Sequence, residues 1–254
     1  NDTWNWDGAQ WVRVYTLAPP PRRNGRGVYD TNRQVFVLFG GLSPDWTIPD
    51  GTWEFDGTRW TRVLPNVSPP PRFYYGMTYD SQRQVVVIFG GDSGSGSLGD
   101  TWEYDGTTWT QITGAGPSAR YGHAMAFDAA RGVTVLFAGW NNQTWEYDGT
   151  WTQVFPTTSP PVRRYHAMTY DASSQQVLAH GGYGSDNLDD LWAYEGTTWI
   201  ELTGTPAPVA RRHHELAFDS HRGRVVLYGG AQVDSTPSDD TWERDSTGWT
   251  QIFP

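Results

Sequence analysis

The sequence predicts an all-β protein of four-stranded antiparallel sheets that are arranged as the blades of a propeller. A phrase built around Asp-Thr-Trp recurs along the 254-residue chain, and its Trp residues are 49, 49, 43, 47 and 50 residues apart. Periods of this length are typical of repeat folds. Each repeat holds short alternating or apolar runs around tight turns, which indicate strands. The 29 Gly and 17 Pro would interrupt any long helix.

The first element of each repeat is a hairpin that we name the outer hairpin. Its fullest form runs from Thr101 to Ile112, where two alternating runs flank Asp105-Gly106. An Asp-Gly pair between such runs favours a tight hairpin turn. Each copy carries a pair of Trp residues, and we expect their rings to fill the space between neighbouring sheets. The first Trp of the six copies is Trp4, Trp53, Trp102, Trp145, Trp192 and Trp242.

A second hairpin, the inner hairpin, lies between successive outer hairpins. In Arg72 to Gly91 a Pro-rich approach and an Arg precede an alternating run, a turn at Asp80 and the apolar run Val85 to Phe89. Such an apolar run is typical of a strand that is buried on both faces. Two strands from each hairpin make the four of one blade. The apolar runs end at Gly40-Gly41, Gly90-Gly91, Ala138-Gly139, Gly181-Gly182 and Gly229-Gly230.

These residues resemble the kelch-repeat family of β-propellers, in its bacterial form. The resemblance is carried by the double glycine, the aromatic strand after it, a second Trp five to seven residues further on, and an Arg before the first inner strand. It extends over essentially the whole chain and departs from the pattern at Ala138, Ala193 and Ser174. It implies a propeller in which His123, His166 and His214 are structural hydrogen-bonding residues rather than metal ligands.

The number of blades is open. Five inner and six outer hairpins give 22 strands, so the main expectation is six blades with one incomplete, and the alternative is five blades with a surplus hairpin. We expect residues 1–254 to form one propeller domain. Because the chain opens in the middle of a repeat, a longer chain is consistent with the pattern.

Composition excludes several kinds of chemistry. All 18 basic residues are Arg, so no lysine is present for a Schiff base. The chain has no Cys, which removes disulfides, thiolate nucleophiles and a Cys–Tyr copper cofactor. A net charge of −10 disfavours nucleic acid and anionic membranes as partners. No apolar run is long enough to insert in a membrane. We expect an extracellular or cell-surface location with the signal removed.

Five equivalent arginines precede the inner hairpins and serve the scaffold. We expect them to make ion pairs between blades or bonds to carbonyl groups, with Glu54, Glu103, Glu146 and Glu243 as acidic partners. His180 stands where other repeats carry Phe or Tyr, and we interpret it as a tolerated core substitution. The five arginines are Arg22, Arg72, Arg120, Arg163 and Arg211.

Residues that differ between repeats are the candidates for ligand binding. They follow the common arginine, where we expect them to line one mouth of a central channel, or they follow the double glycine. Exposed Tyr, Trp, Arg and His side chains stack on and hydrogen-bond to ligands. The first set is Arg23, Tyr74, Tyr75, Tyr121, Arg164, Tyr165, Arg212 and His213, and the second is Trp46, Trp140 and Tyr183.

The predicted function is that of a non-catalytic binding propeller that recognises a glycan or a protein through one face. One alternative is a structural module of a larger surface protein or filament, with self-assembly through an incomplete blade. Another is a propeller hydrolase, for which Glu215 beside His213 and His214 is the available group. No cofactor is expected. Calcium is the metal considered for the loop carboxylates Asp186, Asp189, Asp190, Asp239 and Asp240.

Overall fold

The structure is a computed structural model that describes residues 2–252. Over this range 22 strands form five four-stranded antiparallel sheets and one two-stranded sheet. The described residues include no helix that could cross a membrane. The chain divides into two compact units. One comprises residues up to Gly114 with Ser118–Tyr121, and the other comprises Ala115–Pro117 with the residues from Gly122 onward.

The first unit holds the two-stranded sheet and two complete sheets, which we name blades 1 and 2. In each blade the strands follow one another in chain order, as the hairpin pattern predicts. The two-stranded sheet is β1 (Thr3–Trp6) and β2 (Trp11–Val14). Blade 1 is β3 (Arg26–Asp30), β4 (Val35–Phe39), β5 (Thr52–Phe55) and β6 (Trp60–Val63), and blade 2 is β7 (Gly76–Asp80), β8 (Val85–Asp92), β9 (Ser97–Tyr104) and β10 (Trp109–Ile112).

The second unit holds blades 3, 4 and 5, built in the same order. Blade 3 is β11 (Ala124–Asp128), β12 (Val133–Phe137), β13 (Thr144–Tyr147) and β14 (Trp151–Val154). Blade 4 is β15 (Ala167–Asp171), β16 (Gln176–Tyr183), β17 (Asn187–Tyr194) and β18 (Trp199–Leu202). Blade 5 is β19 (Glu215–Asp219), β20 (Arg224–Tyr228), β21 (Thr241–Asp245) and β22 (Gly248–Ile252). The prediction of an all-β propeller with four-stranded antiparallel blades is confirmed.

The blade count agrees with the sequence only in part. Residues 2–252 contain five complete blades, so the main expectation of six is not confirmed. The one outer hairpin that belongs to no complete blade is the first in the chain, and among the described residues it forms the two-stranded sheet of β1 and β2. The indole Nε1 of Trp60 donates to Thr3 Oγ1 at 2.9 Å, just as Trp109 of blade 2 donates to Thr52 of blade 1 at 2.9 Å. The hairpin therefore lies beside blade 1 as the outer hairpin of blade 1 lies beside blade 2.

Tryptophan rings fill the space between adjacent blades, as expected. Trp199 of blade 4 is 1% exposed, and its ring lies 4.9 Å from Phe137 of blade 3. Its Nε1 donates to Thr144 Oγ1 at 3.0 Å. In the first unit Trp109 packs against Phe39 of blade 1 at 5.3 Å. Within each unit, these adjacent blades thus bury their facing sides through the same pair of positions.

The shared arginines pair with different carboxylates from those that we expected. Arg72, Arg163 and Arg211 are buried and each makes a two-pronged ion pair with an aspartate of its own blade: Asp100, Asp190 and Asp240. The predicted glutamate partners were wrong, because Glu54, Glu103, Glu146 and Glu243 bind the turn arginines Arg33, Arg83, Arg131 and Arg222. The predicted carbonyl bonds are confirmed, since Arg72 donates to Gly90 O at 2.9 Å.

Within each unit, the double glycine joins one blade to the next through the main chain. Gly41 donates its N–H to the carbonyl oxygen of Arg72 at 2.9 Å, and Gly182 does the same to Arg211. Gly40 has a positive φ of 56°, and a Cβ at this position would collide with the Arg72 carbonyl oxygen. Glycine is required there because of both the backbone conformation and the close approach.

His180 makes a specific contact in the core, which the interpretation as a tolerated substitution did not include. Its Nδ1 lies 3.0 Å from Nε2 of His214, and both side chains are buried. Burial lowers the pKa of His180 to about 3, and the charge of Arg211 acts in the same direction. The ring is therefore neutral at physiological pH and serves as a hydrogen-bonding residue between blades 4 and 5. His123, His166 and His214 are all buried.

Candidate functional site

The predicted binding residues lie in two kinds of loop. We name the residues that follow the shared arginine the leading loop and those that follow the double glycine the exit loop. In blade 4 the N–H of Arg164 donates to Tyr183 O at 2.9 Å, and Tyr183 N–H donates to Arg164 O at 2.7 Å. Arg23 and Leu42 make the same exchange in blade 1. The two sets of sequence candidates are therefore adjacent within a blade.

The leading loop holds one residue in the left-handed conformation. Tyr74, Tyr165 and His213 have φ values of 55°, 59° and 60°. This conformation costs an L-residue about 1–2 kcal/mol. Gly122 occupies the equivalent position with a φ of 71°, so the backbone accepts glycine. Tyr74, Tyr165 and His213 keep bulky rings at a strained position that glycine could occupy. This indicates that their side chains have a role.

Arg164 lies at the centre of an aromatic group in the second unit. Its guanidinium carbon is 3.6 Å from the ring centroid of Trp140, which belongs to the exit loop of blade 3. The same carbon is 4.6 Å from the ring of Tyr165 and 5.6 Å from that of Tyr183. Cation–π contacts at these distances fix the guanidinium and expose a mixed cationic and aromatic surface.

The surface continues into blade 5. The ring of His213 lies 4.3 Å from that of Tyr165, and the guanidinium of Arg212 lies 5.3 Å from Tyr183. Two residues that the sequence analysis missed hold Arg212 in place: it donates to Asn187 Oδ1 at 2.8 Å and to Ser235 Oγ at 3.1 Å. No sequence pattern marks either residue. We name the following set the Arg164 cluster: Trp140, Arg164, Tyr165, Tyr183, Arg212 and His213.

The candidates of the first unit form smaller groups. The Arg23 guanidinium lies 4.4 Å from the ring of Trp46, which is 72% exposed. Tyr74 and Tyr121 are stacked at 6.3 Å. Tyr75 is fully buried, accepts a hydrogen bond from Arg26 N–H at 2.9 Å and donates to the Phe39 carbonyl. We therefore leave Tyr75 out of the proposed binding surface.

The groups considered for hydrolysis and for calcium are placed as follows. His213 and Glu215 are exposed, whereas His214 is buried against His180. Two of the loop carboxylates, Asp190 and Asp240, are held by arginines in ion pairs. Across residues 2–252 no group of three or more His, Asp or Glu side chains is arranged to hold a metal ion.

We predict that replacing His213 with Gly leaves the fold about as stable as that of the wild type. Removing the side chain relieves the left-handed strain, about 1 kcal/mol, and loses one exposed ring contact of about the same size. Urea unfolding should place the variant within about 1 kcal/mol of the wild type, while ligand binding weakens. The matched control is His221→Gly, an exposed turn residue outside the cluster. A loss of more than about 2 kcal/mol would show that His213 is a scaffold residue.

Comparisons with known proteins identify the repeat. The family model described as the KLHDC2/KLHL20/DRC7 Kelch-repeats domain matches residues 2–152. The match spans more than half of the chain, from the two-stranded sheet into the last strand of blade 3. A search of curated proteins found no match.

Proposed function

Because the chain belongs to the kelch-repeat family, we propose that it is a protein-interaction module that binds its partner through the Arg164 cluster. Kelch propellers generally bind proteins. The observation that carries the proposal is the Arg164 guanidinium, which packs against Trp140 at 3.6 Å beside two tyrosines. Arg, Trp and Tyr are the residues that dominate binding energy at protein interfaces.

The cluster favours an acidic partner segment. Arg164 and Arg212 place two cationic groups in one surface of a chain whose net charge is −10. A guanidinium whose orientation is fixed binds a carboxylate through two parallel hydrogen bonds. The aromatic rings around it add apolar contact at low entropy cost, since each has only two side-chain torsions. We infer that the partner presents Asp or Glu next to an apolar residue.

Glycan recognition is the second candidate, because exposed aromatic rings such as Trp46 also stack on sugars. The ring contacts favour the protein partner. One face of Trp140 is covered by Arg164 and one face of Trp46 by Arg23, at 3.6 and 4.4 Å. A covered face is not open for sugar stacking. The extracellular location stays a prediction, as does the role of an assembly module.

A peptide-display selection with the purified chain as bait tests the proposal. We expect enrichment of sequences that combine acidic and apolar residues. Arg164→Gln should weaken binding of a selected peptide at least tenfold, or about 1.4 kcal/mol. Arg59→Gln, which makes the same charge change at a side chain that is 77% exposed, should alter affinity less than about twofold. Fluorescence anisotropy measures both.

The two variants and a parallel glycan array separate the outcomes. Equal effects of Arg164→Gln and Arg59→Gln would mean that only net charge matters, which contradicts a defined site. Enrichment of peptides without acidic residues would overturn the inferred partner chemistry. Binding on the glycan array with no peptide enriched would replace the protein partner with a sugar.

A further inference from the structure

We propose that blade 1 binds the carboxylate of a ligand between the guanidinium groups of Arg22 and Arg62, at the place that an aspartate side chain fills in blades 2, 4 and 5. That aspartate stands two residues before the first Trp of its outer hairpin, and in blade 1 the same position is Gly51. The place lies in the first unit, whereas the Arg164 cluster lies in the second, so the inference goes beyond the proposed function. We name the following set the Gly51 site: Arg22, Gly51, Trp53 and Arg62.

The aspartate of the other blades accepts three hydrogen bonds. In blade 2 Arg72 donates to Oδ1 and Oδ2 of Asp100 at 2.8 Å each, and the indole Nε1 of Trp102 donates to Oδ2 at 2.7 Å. Blades 4 and 5 repeat this arrangement around Asp190 and Asp240. An arginine and a tryptophan of one blade therefore form a receptor for one carboxylate.

Blade 1 keeps the donors of this receptor. Arg22 donates to the carbonyl oxygens of Gly40 and Pro20 at 2.9 and 3.2 Å, and Arg72 is held by the two equivalent carbonyl groups. Nη2 of Arg22 is nevertheless buried and has no hydrogen-bond partner among residues 2–252. Within the same range no group accepts a hydrogen bond from the Trp53 indole. A buried donor without an acceptor destabilises the fold, so an anion that accepts from Arg22 is favoured.

Gly51 explains why blade 1 does not supply the carboxylate itself. Its φ is 104°, a conformation that glycine adopts far more readily than other residues. A Cβ at this position would lie 3.0 Å from Nε of Arg62, which stands opposite Trp53 in the pairing of β5 and β6. An aspartate would therefore be strained and crowded here. The carboxylate of an aspartate lies one bond beyond its Cβ, so the Arg62 guanidinium borders the place where the ligand would bind.

The charges around the site favour an anion. Burial lowers the pKa of Arg22 and the charge of Arg62 acts in the same direction, whereas Tyr75 and Asp50 act against it. Asp50 is the acidic group that already contacts the site, since its Oδ1 lies 3.0 Å from Nη2 of Arg62. The two side chains are 78% and 45% exposed, and exposed ion pairs are weak. A bound carboxylate can therefore compete with Asp50 for Arg62.

The site is formed by blade 1 alone. In blade 2 the side chain of Arg72 takes all its hydrogen bonds from its own repeat, namely from Pro70, Gly90 and Asp100. The neighbouring blade contacts Arg72 through the main chain, where Gly41 N–H donates to its carbonyl oxygen at 2.9 Å. By the same geometry, the side-chain donors of the Gly51 site do not depend on what packs beside blade 1.

A carboxylate is the ligand chemistry that the site fits. The group that fills this place in the other blades is a carboxylate on a single methylene, and the two N–H groups of a guanidinium match its two oxygens. Acetate has the size of that side chain. A free carboxylic acid and an acidic side chain of a partner protein present the same group, so the experiment has to distinguish these two sources.

Nuclear magnetic resonance of the ¹⁵N-labelled chain tests the proposal through the indole N–H of Trp53, whose resonance is identified with Trp53→Phe. Sodium acetate is titrated against sodium chloride at constant ionic strength. We expect a saturable downfield shift of this resonance with acetate only, because the indole gains an acceptor. Arg22→Gln and Arg62→Gln should each weaken acetate binding at least tenfold, and Asp50→Asn should strengthen it because a competing carboxylate is removed. Arg59→Gln, at a side chain that is 77% exposed, is the matched control and should change affinity less than twofold.

Each result supports or overturns the proposal. No saturable shift of the Trp53 resonance, or the same shift with chloride, overturns it. Equal effects of Arg62→Gln and Arg59→Gln also overturn it, because only net charge would then matter. Arg62 is half-exposed, so its variant remains informative if Arg22→Gln fails to fold. A blocked aspartate, N-acetyl-aspartate N-methylamide, distinguishes the sources: tighter binding than acetate supports an acidic side chain of a partner, and binding of acetate alone supports a free acid. Arg164→Gln should leave the Trp53 shift unchanged, which separates this site from the proposed function.

Discussion

Replacing Arg211 with Ala should lower the free energy of unfolding by about 3–5 kcal/mol, because it leaves a mostly buried carboxylate without its cation. Arg211 is fully buried and donates to Asp240 Oδ1 and Oδ2 at 2.6 and 2.7 Å. It also donates to the Gly229 carbonyl at 3.0 Å. Urea unfolding at neutral pH measures the loss.

The dependence on pH identifies the cause of that loss. Burial acts to raise the pKa of Asp240, but hydrogen bonds from Arg211, Trp242 and Ser238 outweigh it and lower the pKa to about 2. Because its pKa is depressed, the ionised Asp240 stabilises the fold at pH values above the ordinary 3.8. This contribution is lost as the pH falls through about 2. The loss of unfolding free energy caused by Arg211→Ala should therefore become smaller as the pH falls from 3.8 to about 2. A deficit that does not change with pH would assign the loss to packing.

An exposed ion pair is the control for Arg211→Ala. Arg59 and Asp56 are 77% and 44% exposed, and their nearest charged atoms are 3.4 Å apart. Exposed pairs contribute about 0–1 kcal/mol. Arg59→Ala should therefore change the free energy of unfolding by less than about 1 kcal/mol. A comparable loss from both substitutions would contradict the special role of the buried arginine.

Trp199→Ala should also cost about 3–5 kcal/mol, the range for removing a fully buried aromatic side chain. The ring lies between Tyr194 and Phe137, at 4.9 Å from each, and the substitution leaves Thr144 without its indole donor. Trp60 has the same position in blade 1 but borders an open pocket. Trp60→Ala should therefore cost about 1–2 kcal/mol less than Trp199→Ala.

Thermal and urea unfolding of the two Trp variants are to be compared with Trp46→Ala, whose ring is 72% exposed. That control should lie within about 0.5 kcal/mol of the wild type. Equal losses for Trp60→Ala and Trp199→Ala would mean that the Trp60 side is as well packed as a complete junction.

The strands could be predicted from the sequence because their signals are local. The turn at Asp105-Gly106 and the apolar run Val85 to Phe89 each specify a strand pair without reference to distant residues. The partner of Arg211 could not be predicted in this way. Arg211 donates to the Gly229 carbonyl of its own blade and lies next to Asp240, and these contacts depend on how the chain packs in three dimensions.

Differences between the repeats predicted which residues form the candidate surface, but they did not predict which of these residues contact one another. Differences between repeats marked Arg164 and Trp140, yet these lie in different blades and 24 positions apart. A main-chain bond between blades 3 and 4, from the N–H of Trp140 to the Arg163 carbonyl at 3.2 Å, brings them together. Tyr75 shows the opposite case, because its neighbour Tyr74 takes a left-handed conformation and the chain then directs Tyr75 into the core. The repeat pattern does mark this position, because Tyr75 aligns with His123, His166 and His214, which the resemblance assigns to the scaffold.

The paired loops make this chain a suitable framework for engineered recognition. Their geometry is fixed by main-chain bonds, such as those between Arg164 and Tyr183, so side chains on them can be randomised without disturbing the strands. The absence of Cys adds an experimental advantage. A single introduced thiol would be the sole site for a dye or a drug conjugate, and it can be placed on any chosen loop.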